Sequence, residues 1–165
     1  MILIGYDGSA DASAAIEHVA KLMHGAEAMV VTIWEPITMR LSRTPAGLGP
    51  FTAFGDISDV DRETQRTAAE CAQAGAHLAN RGGLRATFET VSRRFGVAEA
   101  ILARADELEA DAIVLGSRGL TGIGSLLLGS VSHGVVQQAD RPVVIVPSPE
   151  IAVARRERHQ RRAAA

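Results

Sequence analysis

Short apolar segments alternate with amphipathic segments along the chain, and few folds accept such a pattern. Five segments have the apolar, β-branched composition of strands: residues 2–6, 28–34, 84–91, 112–115 and 143–146. Four segments between them carry apolar residues at helical spacing: 11–23, 59–80, 97–108 and 130–139. Alternating strands and helices form a parallel sheet with right-handed crossovers and helices on both faces. We therefore predict a single doubly wound, Rossmann-like α/β domain.

The strands differ in apolar content, which predicts their places in the sheet. Residues 2–6 and 112–115 are almost continuously apolar, as is typical of central strands covered on both faces. Residues 84–91 alternate between apolar and polar, so we place that strand at an edge of the sheet with one face exposed to solvent. In such sheets ligands bind beyond the carboxyl ends of the strands, where the winding direction switches.

The region between the second and third strands carries two further predictions. Residues 38–58 have no clean period and contain Pro45 and Pro50, so we expect a long irregular loop. The helix at 59–80 is expected to turn one stripe toward the core, formed by Val60, Thr67, Cys71, Ala74 and Leu78. Cys71 is then a small core residue rather than a reactive thiol.

Composition argues against several classes of function. The chain has 165 residues and a formal net charge of −2, which suits one domain and argues against nucleic-acid binding through a basic surface. Cys71 is the only cysteine, which excludes an internal disulfide. The sequence opens without a signal-peptide pattern, so we expect a cytoplasmic protein. Residues 119–139 lack formal charge but contain five glycines and many polar side chains, so we reject a membrane span.

An arginine-rich tail follows the last predicted strand. It carries Arg155, Arg156, Arg158, Arg161 and Arg162. We assign residues 1–148 to the domain and residues 149–165 to the tail. We interpret the tail as a frayed helix or a disordered arm in preference to an anion-binding arm.

A glycine-rich segment follows the fourth predicted strand and leads into a helix. Gly116 and Gly119 are separated by two residues, and nine more residues precede Gly129 and Ser130. Glycines let a backbone approach an oxyanion closely, and the amides at a helix start attract phosphate. The segment is not a Walker loop, because Lys21 is the only lysine, and it lacks the dinucleotide fingerprint. From the residues alone, a phosphate loop and a flexible loop before a Ser-capped helix both remain open.

Three separated motifs resemble those of the universal stress protein family. They are Asp7-Gly8-Ser9, Gly116-Ser117-Arg118-Gly119, and Gly129-Ser130-Val131-Ser132 before the last strand. The glycine spacing is similar to that of the ATP-binding branch of the family, and the resemblance covers residues 1 to about 148. It implies the strand order 3-2-1-4-5 and a nucleotide-dependent regulator of stress responses.

The resemblance also implies roles for individual residues. Asp7, beside Gly8, would contact the nucleoside, although a capping acid at the start of the first helix is an alternative. The backbone of Ile33 would contact the adenine edge, and Trp34 would pack rather than stack. The implied phosphate loop consists of Gly116, Gly119, Gly129 and Ser130, with Arg118, Val131 and Ser132 beside it. His133 is expected to be a surface residue. Phe95 stands where the family usually has glycine, which bears on one wall of the pocket.

The implied ligand is ATP, with AMP or cyclic AMP as alternatives, and Mg²⁺ or Mn²⁺ would be held through the phosphates. The implied partner is a second copy that pairs with the apolar edge strand Val143–Val146. We expect neither nucleic-acid nor membrane partners.

The sequence contains no recognisable catalytic set. Neither a nucleophile elbow nor an HExxH pattern occurs, and the lone Lys21 falls in the first predicted helix. We therefore expect a binding protein rather than an enzyme, with slow ATP hydrolysis at most.

Overall fold

The computed structural model of the protein describes residues 1–42, 57–119 and 128–163. Its middle layer consists of the strands β1 (Ile2–Gly5), β2 (Glu27–Trp34), β3 (Arg85–Ser92), β4 (Ala112–Gly116) and β5 (Val143–Val146). All neighbouring strands pair in parallel, in the order β3-β2-β1-β4-β5. This order confirms the predicted fold, including the central places of β1 and β4 and the edge place of β3.

The described residues contain six helices. They are α1 (Ala10–Leu22), α2 (Ile37–Ser42), α3 (Ile57–Arg81), α4 (Val97–Glu107), α5 (Ser130–Gln138) and α6 (Pro149–Ala163). Four of them match the predicted helices, and α6 shows that the arginine-rich tail is helical over most of its length. No helix among the described residues combines the length and the apolarity that a bilayer crossing requires.

The short helix α2 corrects the prediction of an irregular loop over residues 38–58. The carbonyl of Pro36 accepts hydrogen bonds from the amides of Met39 and Arg40, which form the first turn. The amide of Ile37 donates to the Asp61 carboxylate at 2.6 Å, so α3 holds the start of α2. A helix of six residues is too short to show a period in the sequence. Residues 43–56 lie outside the described part of the chain.

The core has two halves, one on each face of the sheet. On one face Ile4 and Val30 pack beneath α1 and α3, and on the other face Leu3 and Val31 pack beneath α4 and α5. All four side chains are almost fully buried. The alternation along central strands therefore supplies both cores, as expected for a sheet that is covered on both sides.

The inward stripe predicted for α3 is wrong except at Leu78, which is half-buried and packs against the core. Between residues 58 and 81 of α3, the buried residues are all small: Ala68, Ala72, Gly75, Ala76 and Ala79. A Cβ atom on Gly75 would lie 2.7 Å from the Tyr6 ring and 2.9 Å from a Val30 methyl group, so α3 approaches the sheet closely. Val60, Thr67 and Ala74 are exposed and Cys71 is half-buried. Because α3 lies close to the sheet, the face of α3 toward the sheet carries small residues. The stripe of larger apolar residues therefore identified the wrong face of the helix.

Candidate functional site

The turn between β1 and α1 is shaped by Asp7, Gly8 and Ser9. Gly8 has a φ angle of +81°, which glycine adopts without strain. Ser9 is the N-cap of α1 and accepts a hydrogen bond from the amide of Ala12 at 3.2 Å. Asp7 Oδ1 accepts from the Ser9 amide at 3.0 Å, so Asp7 holds the turn but is not itself the capping acid.

The glycines after β4 lie against this turn. A Cβ atom on Gly119 would lie 2.6 Å from Asp7 Oδ2, and one on Gly116 would lie 2.6 Å from the Ala12 amide nitrogen. Such distances exclude a side chain at either position unless the neighbouring groups move. The structure thus brings Asp7 and Gly119, which are far apart in the sequence, into contact at one edge of the sheet.

The two halves of the glycine motif meet at the start of α5. The amide of Gly129 donates to the Ser117 carbonyl at 2.8 Å. Ser132 is buried, and its Oγ lies 3.0 Å from both the Ser117 and the Gly129 carbonyl oxygens, which share its single donor hydrogen. Residues 120–127, in the middle of the motif, lie outside the described part of the chain. Both ends of the motif are therefore held together by Ser132.

The amino terminus of α5 has the geometry of an anion site. Its N-cap is Gly129, which has no side chain that could bond to the first amides of the helix. These amides lack partners within a helix, and the helix dipole adds a partial positive charge. Ser130 is exposed beside them, and the side chain of Val131 packs on the core. The half-buried Arg118 adds a positive charge nearby.

Asp11 is a site residue that the sequence analysis missed. The residue is only 7% exposed, and its Oδ2 accepts hydrogen bonds from Ser117 Oγ at 2.6 Å and from the Arg118 amide at 3.0 Å. Ser117 is 1% exposed. Asp11 therefore ties the loop after β4 to the first turn of α1. In the sequence, Asp11 is recognisable only as an acidic residue at the start of a helix. Its contact with Ser117, 106 residues away, cannot be predicted from that position.

The end of β2 completes this edge of the sheet. Thr32 Oγ1 donates to the Tyr6 carbonyl at 2.8 Å, which joins the ends of β2 and β1. Ile33 is partly buried and packs on the core beneath α4 and α5, and Trp34 is half-buried. His133 is exposed, and Phe95 is 76% exposed on the turn before α4.

Cys71 lies at the border between the core and this site. A Cβ atom on Gly8 would be 3.6 Å from Cys71 Sγ, so the thiol adjoins the turn that Asp7 holds. Burial raises the pKa of the Cys71 thiol, the Asp7 carboxylate raises it further, and a hydrogen bond with Thr32 opposes both. The predicted core position is corrected accordingly: the thiol is half-buried beside the candidate site.

Solved structures with this fold include several complexes. An Archaeoglobus fulgidus universal stress protein in complex with dAMP has a TM-score of 0.56 and 20% identity, covering 88% of this chain and 95% of that one. A universal stress protein in complex with cAMP has a TM-score of 0.61 and 22% identity, covering 89% and 96%. An Arabidopsis thaliana family protein with AMP bound has a TM-score of 0.60 and 13% identity, covering 88% and 90%. At these identities the likeness shows a shared fold.

Sequence comparison identifies the family. The model of the universal stress protein family matches residues 1–147. A Thermus aquaticus relative, "Universal stress protein in QAH/OAS sulfhydrylase 3'region", is 40% identical over 148 residues, which cover 88% of this chain and 96% of that protein. On both counts, the chain belongs to the universal stress protein family.

Proposed function

We propose that this protein binds an adenine nucleotide, with ATP as the first candidate, and acts as a nucleotide-dependent regulator in stress responses. The observation that carries the proposal is the closure of the glycine motif, in which the Gly129 amide donates to the Ser117 carbonyl at 2.8 Å. This closure places the uncapped start of α5 beside the loop after β4. The first amides of α5 then lie beside the glycines of that loop, where a phosphate group could accept from them.

The remaining contacts would be spread along the same edge of the sheet. Asp7 and Gly8 would contact the nucleoside, and the backbone of Ile33 would contact the adenine. Gly116, Gly119, Gly129 and Ser130 would surround the phosphates, with Arg118, Val131 and Ser132 beside them. The single hydroxyl hydrogen of Ser132 is already shared by two carbonyls, so we propose that this residue supports the loop and contacts phosphate only through its amide. The nucleotide would thus lie across the ends of β2, β1 and β4.

The complexes of family members with dAMP, cAMP and AMP support an adenine nucleotide as the ligand class. They leave AMP and cyclic AMP as the alternatives to ATP in this chain. ATP is favoured by the spacing from Gly116 to Ser130, because this spacing resembles the ATP-binding branch of the family.

A divalent cation would be bound chiefly by the phosphates. Among the described residues, no group of three or more His, Cys, Asp or Glu side chains is arranged to hold a metal ion. Asp11 already accepts two hydrogen bonds, and Asp7 accepts one from Ser9. Mg²⁺ is commonly held through substrate phosphates, so we propose Mg²⁺ or Mn²⁺ in that role and slow hydrolysis at most.

We also propose a homodimer and a cytoplasmic location. The edge strand β5 consists of four consecutive apolar residues, which a second copy would cover. The free thiol of Cys71 fits a reducing compartment. Sedimentation at micromolar concentration that finds monomer alone would contradict the homodimer.

Calorimetric titration with ATP, AMP and cyclic AMP, each with and without Mg²⁺, tests the proposed ligand. We expect one site per chain and tighter binding of ATP than of either monophosphate, since the phosphate loop would contact more oxygens. Tighter binding of AMP or cyclic AMP would identify that nucleotide as the ligand in place of ATP and would leave the proposed site unchanged. Failure of all three nucleotides to bind would refute the proposed function.

A further inference from the structure

The helix α6 is strongly basic and has no buried residue. It carries Arg155, Arg156, Arg158, Arg161 and Arg162 against Glu150 and Glu157, which gives it a formal charge of +3. Because the whole chain has a formal charge of −2, the rest of the chain has −5. The low net charge of the protein is therefore the sum of two regions of opposite sign. It does not argue against nucleic-acid binding by α6.

The arginines of α6 differ from those of the domain in their pairing. In the described part of residues 1–148, the arginines that form salt bridges with carboxylates include Arg62, Arg66, Arg85, Arg93, Arg104 and Arg141. In α6 the one salt bridge among the described residues joins Arg161 to Glu157 at the long distance of 3.9 Å. The α6 guanidinium groups are thus largely left to solvent, and an anionic partner would gain contacts that the protein does not supply.

Four of these arginines follow one another along one side of the helix. Arg155, Arg158 and Arg162 are separated by three and four residues, and Arg161 adjoins them, so all four share a face at 3.6 residues per turn. The face from Arg155 to Arg162 is about 10 Å long, at a rise of about 1.5 Å per residue. Glu157 lies one turn before Arg161, at one border of this face. The result is a continuous row of positive charge.

The composition of α6 selects among the anionic partners. A helix that binds at a membrane surface needs an apolar face, but Ile151 and Val153 lie on nearly opposite sides of α6. A protein interface is normally built around aromatic or other large apolar residues, and α6 contains no aromatic side chain other than His159. A row of guanidinium groups without an apolar anchor suits a regular row of phosphates, to which arginine donates in pairs.

We propose that α6 binds the phosphodiester backbone of nucleic acid, without preference for base sequence. Charge complementarity carries the proposal: the row of arginines meets the phosphates, while the charge of −5 on the rest of the chain keeps the domain away from them. The binding is electrostatic and does not depend on the nucleotide proposed for the site at the ends of β1, β2 and β4. The proposal for α6 can therefore be confirmed or refuted independently of the proposed function.

Fluorescence anisotropy of the full chain with a labelled 20-bp DNA duplex and a labelled 20-nucleotide single-stranded RNA provides the test. With about four phosphate contacts, affinity for the duplex falls on the order of 100-fold between about 50 and 200 mM salt. We expect binding of both probes at the lower salt concentration, and tighter binding of the duplex because its charge density is higher.

The decisive comparison uses two triple variants of equal charge. Replacement of Arg158, Arg161 and Arg162 by Gln should weaken duplex binding by at least about tenfold at about 50 mM salt. Replacement of Arg62, Arg66 and Arg85 by Gln removes the same charge from similarly exposed positions, and affinity should change less than about threefold. Replacement of the same three α6 arginines by Lys keeps the charge and should retain most of the affinity. Comparison of the Lys and Gln variants therefore distinguishes loss of charge from loss of the helix.

Several results would overturn the proposal. One is the absence of duplex binding up to about 100 µM protein at low salt, and another is an equal loss of affinity in the two Gln variants. Tighter binding to phosphatidylserine vesicles than to the duplex would reassign α6 to membranes. Displacement of the duplex by poly-glutamate at equal charge concentration would reassign it to acidic proteins. In every case the α6 variant should bind ATP as the wild type does, because its substitutions lie outside the proposed nucleotide site.

Discussion

Asp11 Oδ2 accepts a 2.6 Å hydrogen bond from Ser117 Oγ, and both side chains are buried at the junction of α1 and the loop after β4. The same oxygen accepts from the Arg118 amide at 3.0 Å. One carboxylate thus fixes the side chain of Ser117 and the backbone of the next residue. We regard this contact as the support of the proposed phosphate loop.

Substitution of Asp11 by Asn should destabilise the protein and loosen the loop. Hydrogen bonds to a charged group contribute about 1.5–3 kcal/mol, so we expect a loss of that order in the free energy of unfolding, measured by urea denaturation. Ser117→Ala should cost a similar amount, and the double variant should cost less than the sum because both changes remove one interaction.

Glu17→Gln is the matched control for Asp11→Asn. Glu17 is on the same helix and exposed, so the substitution should change stability by less than about 0.5 kcal/mol. Strict additivity of Asp11→Asn and Ser117→Ala would contradict the coupling that the structure shows.

Gly119→Ala should weaken nucleotide binding through Asp7. The added Cβ atom would lie 2.6 Å from Asp7 Oδ2, so either the carboxylate or the loop must move. If the carboxylate moves and contacts the ligand, then Asp7→Ala alone should weaken ATP binding, and the double variant should be no weaker than Asp7→Ala. Calorimetric affinities of the three variants check this. Independent effects would show that Gly119 acts through something other than Asp7.

The strand–helix alternation predicted a parallel sheet with helices on both faces, because such a pattern allows few topologies, and the family resemblance supplied the strand order. The face of α3 was not predictable in the same way, since Gly75 and the buried alanines report a close approach rather than apolar content. The contact of Asp11 with Ser117 depends on the crossing of two segments 106 residues apart. Motif spacing predicted the loops of the candidate site, and it could not identify Asp11 as the buried side chain that joins them.

The thiol of Cys71 should react slowly and should report on ligand binding. Its pKa is raised by burial and by the Asp7 carboxylate, so the thiolate fraction at about pH 7 is below that of a free cysteine and rises as the pH increases. We expect alkylation by iodoacetamide, followed by mass spectrometry, to be slower than in the urea-unfolded chain and faster at about pH 9 than at about pH 7.

Because Cys71 adjoins Gly8, ATP should slow the alkylation further. Guanosine at the same concentration, which lacks phosphates, serves as the control ligand. Equal rates in the folded and unfolded chains would contradict the structural position of the thiol. An unchanged rate at saturating ATP would instead place the nucleotide away from Gly8.

The proposed homodimer should depend on the outer side of β5. The carbonyls of Pro142 and Val146 accept from the amides of Ile113 and Ser117 in the sheet, so the backbone groups of Val143 point away from β4. Val143→Pro removes an outward donor and no bond of the sheet, and proline is tolerated at the first residue of a strand. We expect sedimentation to show weaker dimerisation of this variant.

Phe88→Glu, on the opposite edge strand β3, is the control for the dimer. Phe88 is 43% exposed there, so the added charge would disrupt pairing through β3 and leave pairing through β5 intact. If the dimer dissociates in Phe88→Glu but persists in Val143→Pro, the interface is at β3, and the proposal for β5 is refuted.

The most direct test of the proposed nucleotide site is calorimetric titration of ATP into Gly129→Glu and Gln137→Glu. Both variants add one negative charge to α5, the first at the N-cap beside Ser117 and the second at an exposed position in the last turn. A carboxylate at the helix start is favourable to the helix dipole but repels phosphate there, and the added Cβ atom, 3.3 Å from Arg118 Cα, requires only a small shift of the loop. We predict at least about a tenfold loss of ATP affinity in Gly129→Glu and less than about a twofold change in Gln137→Glu. Equal ATP affinity in the two variants would contradict a phosphate site at the start of α5.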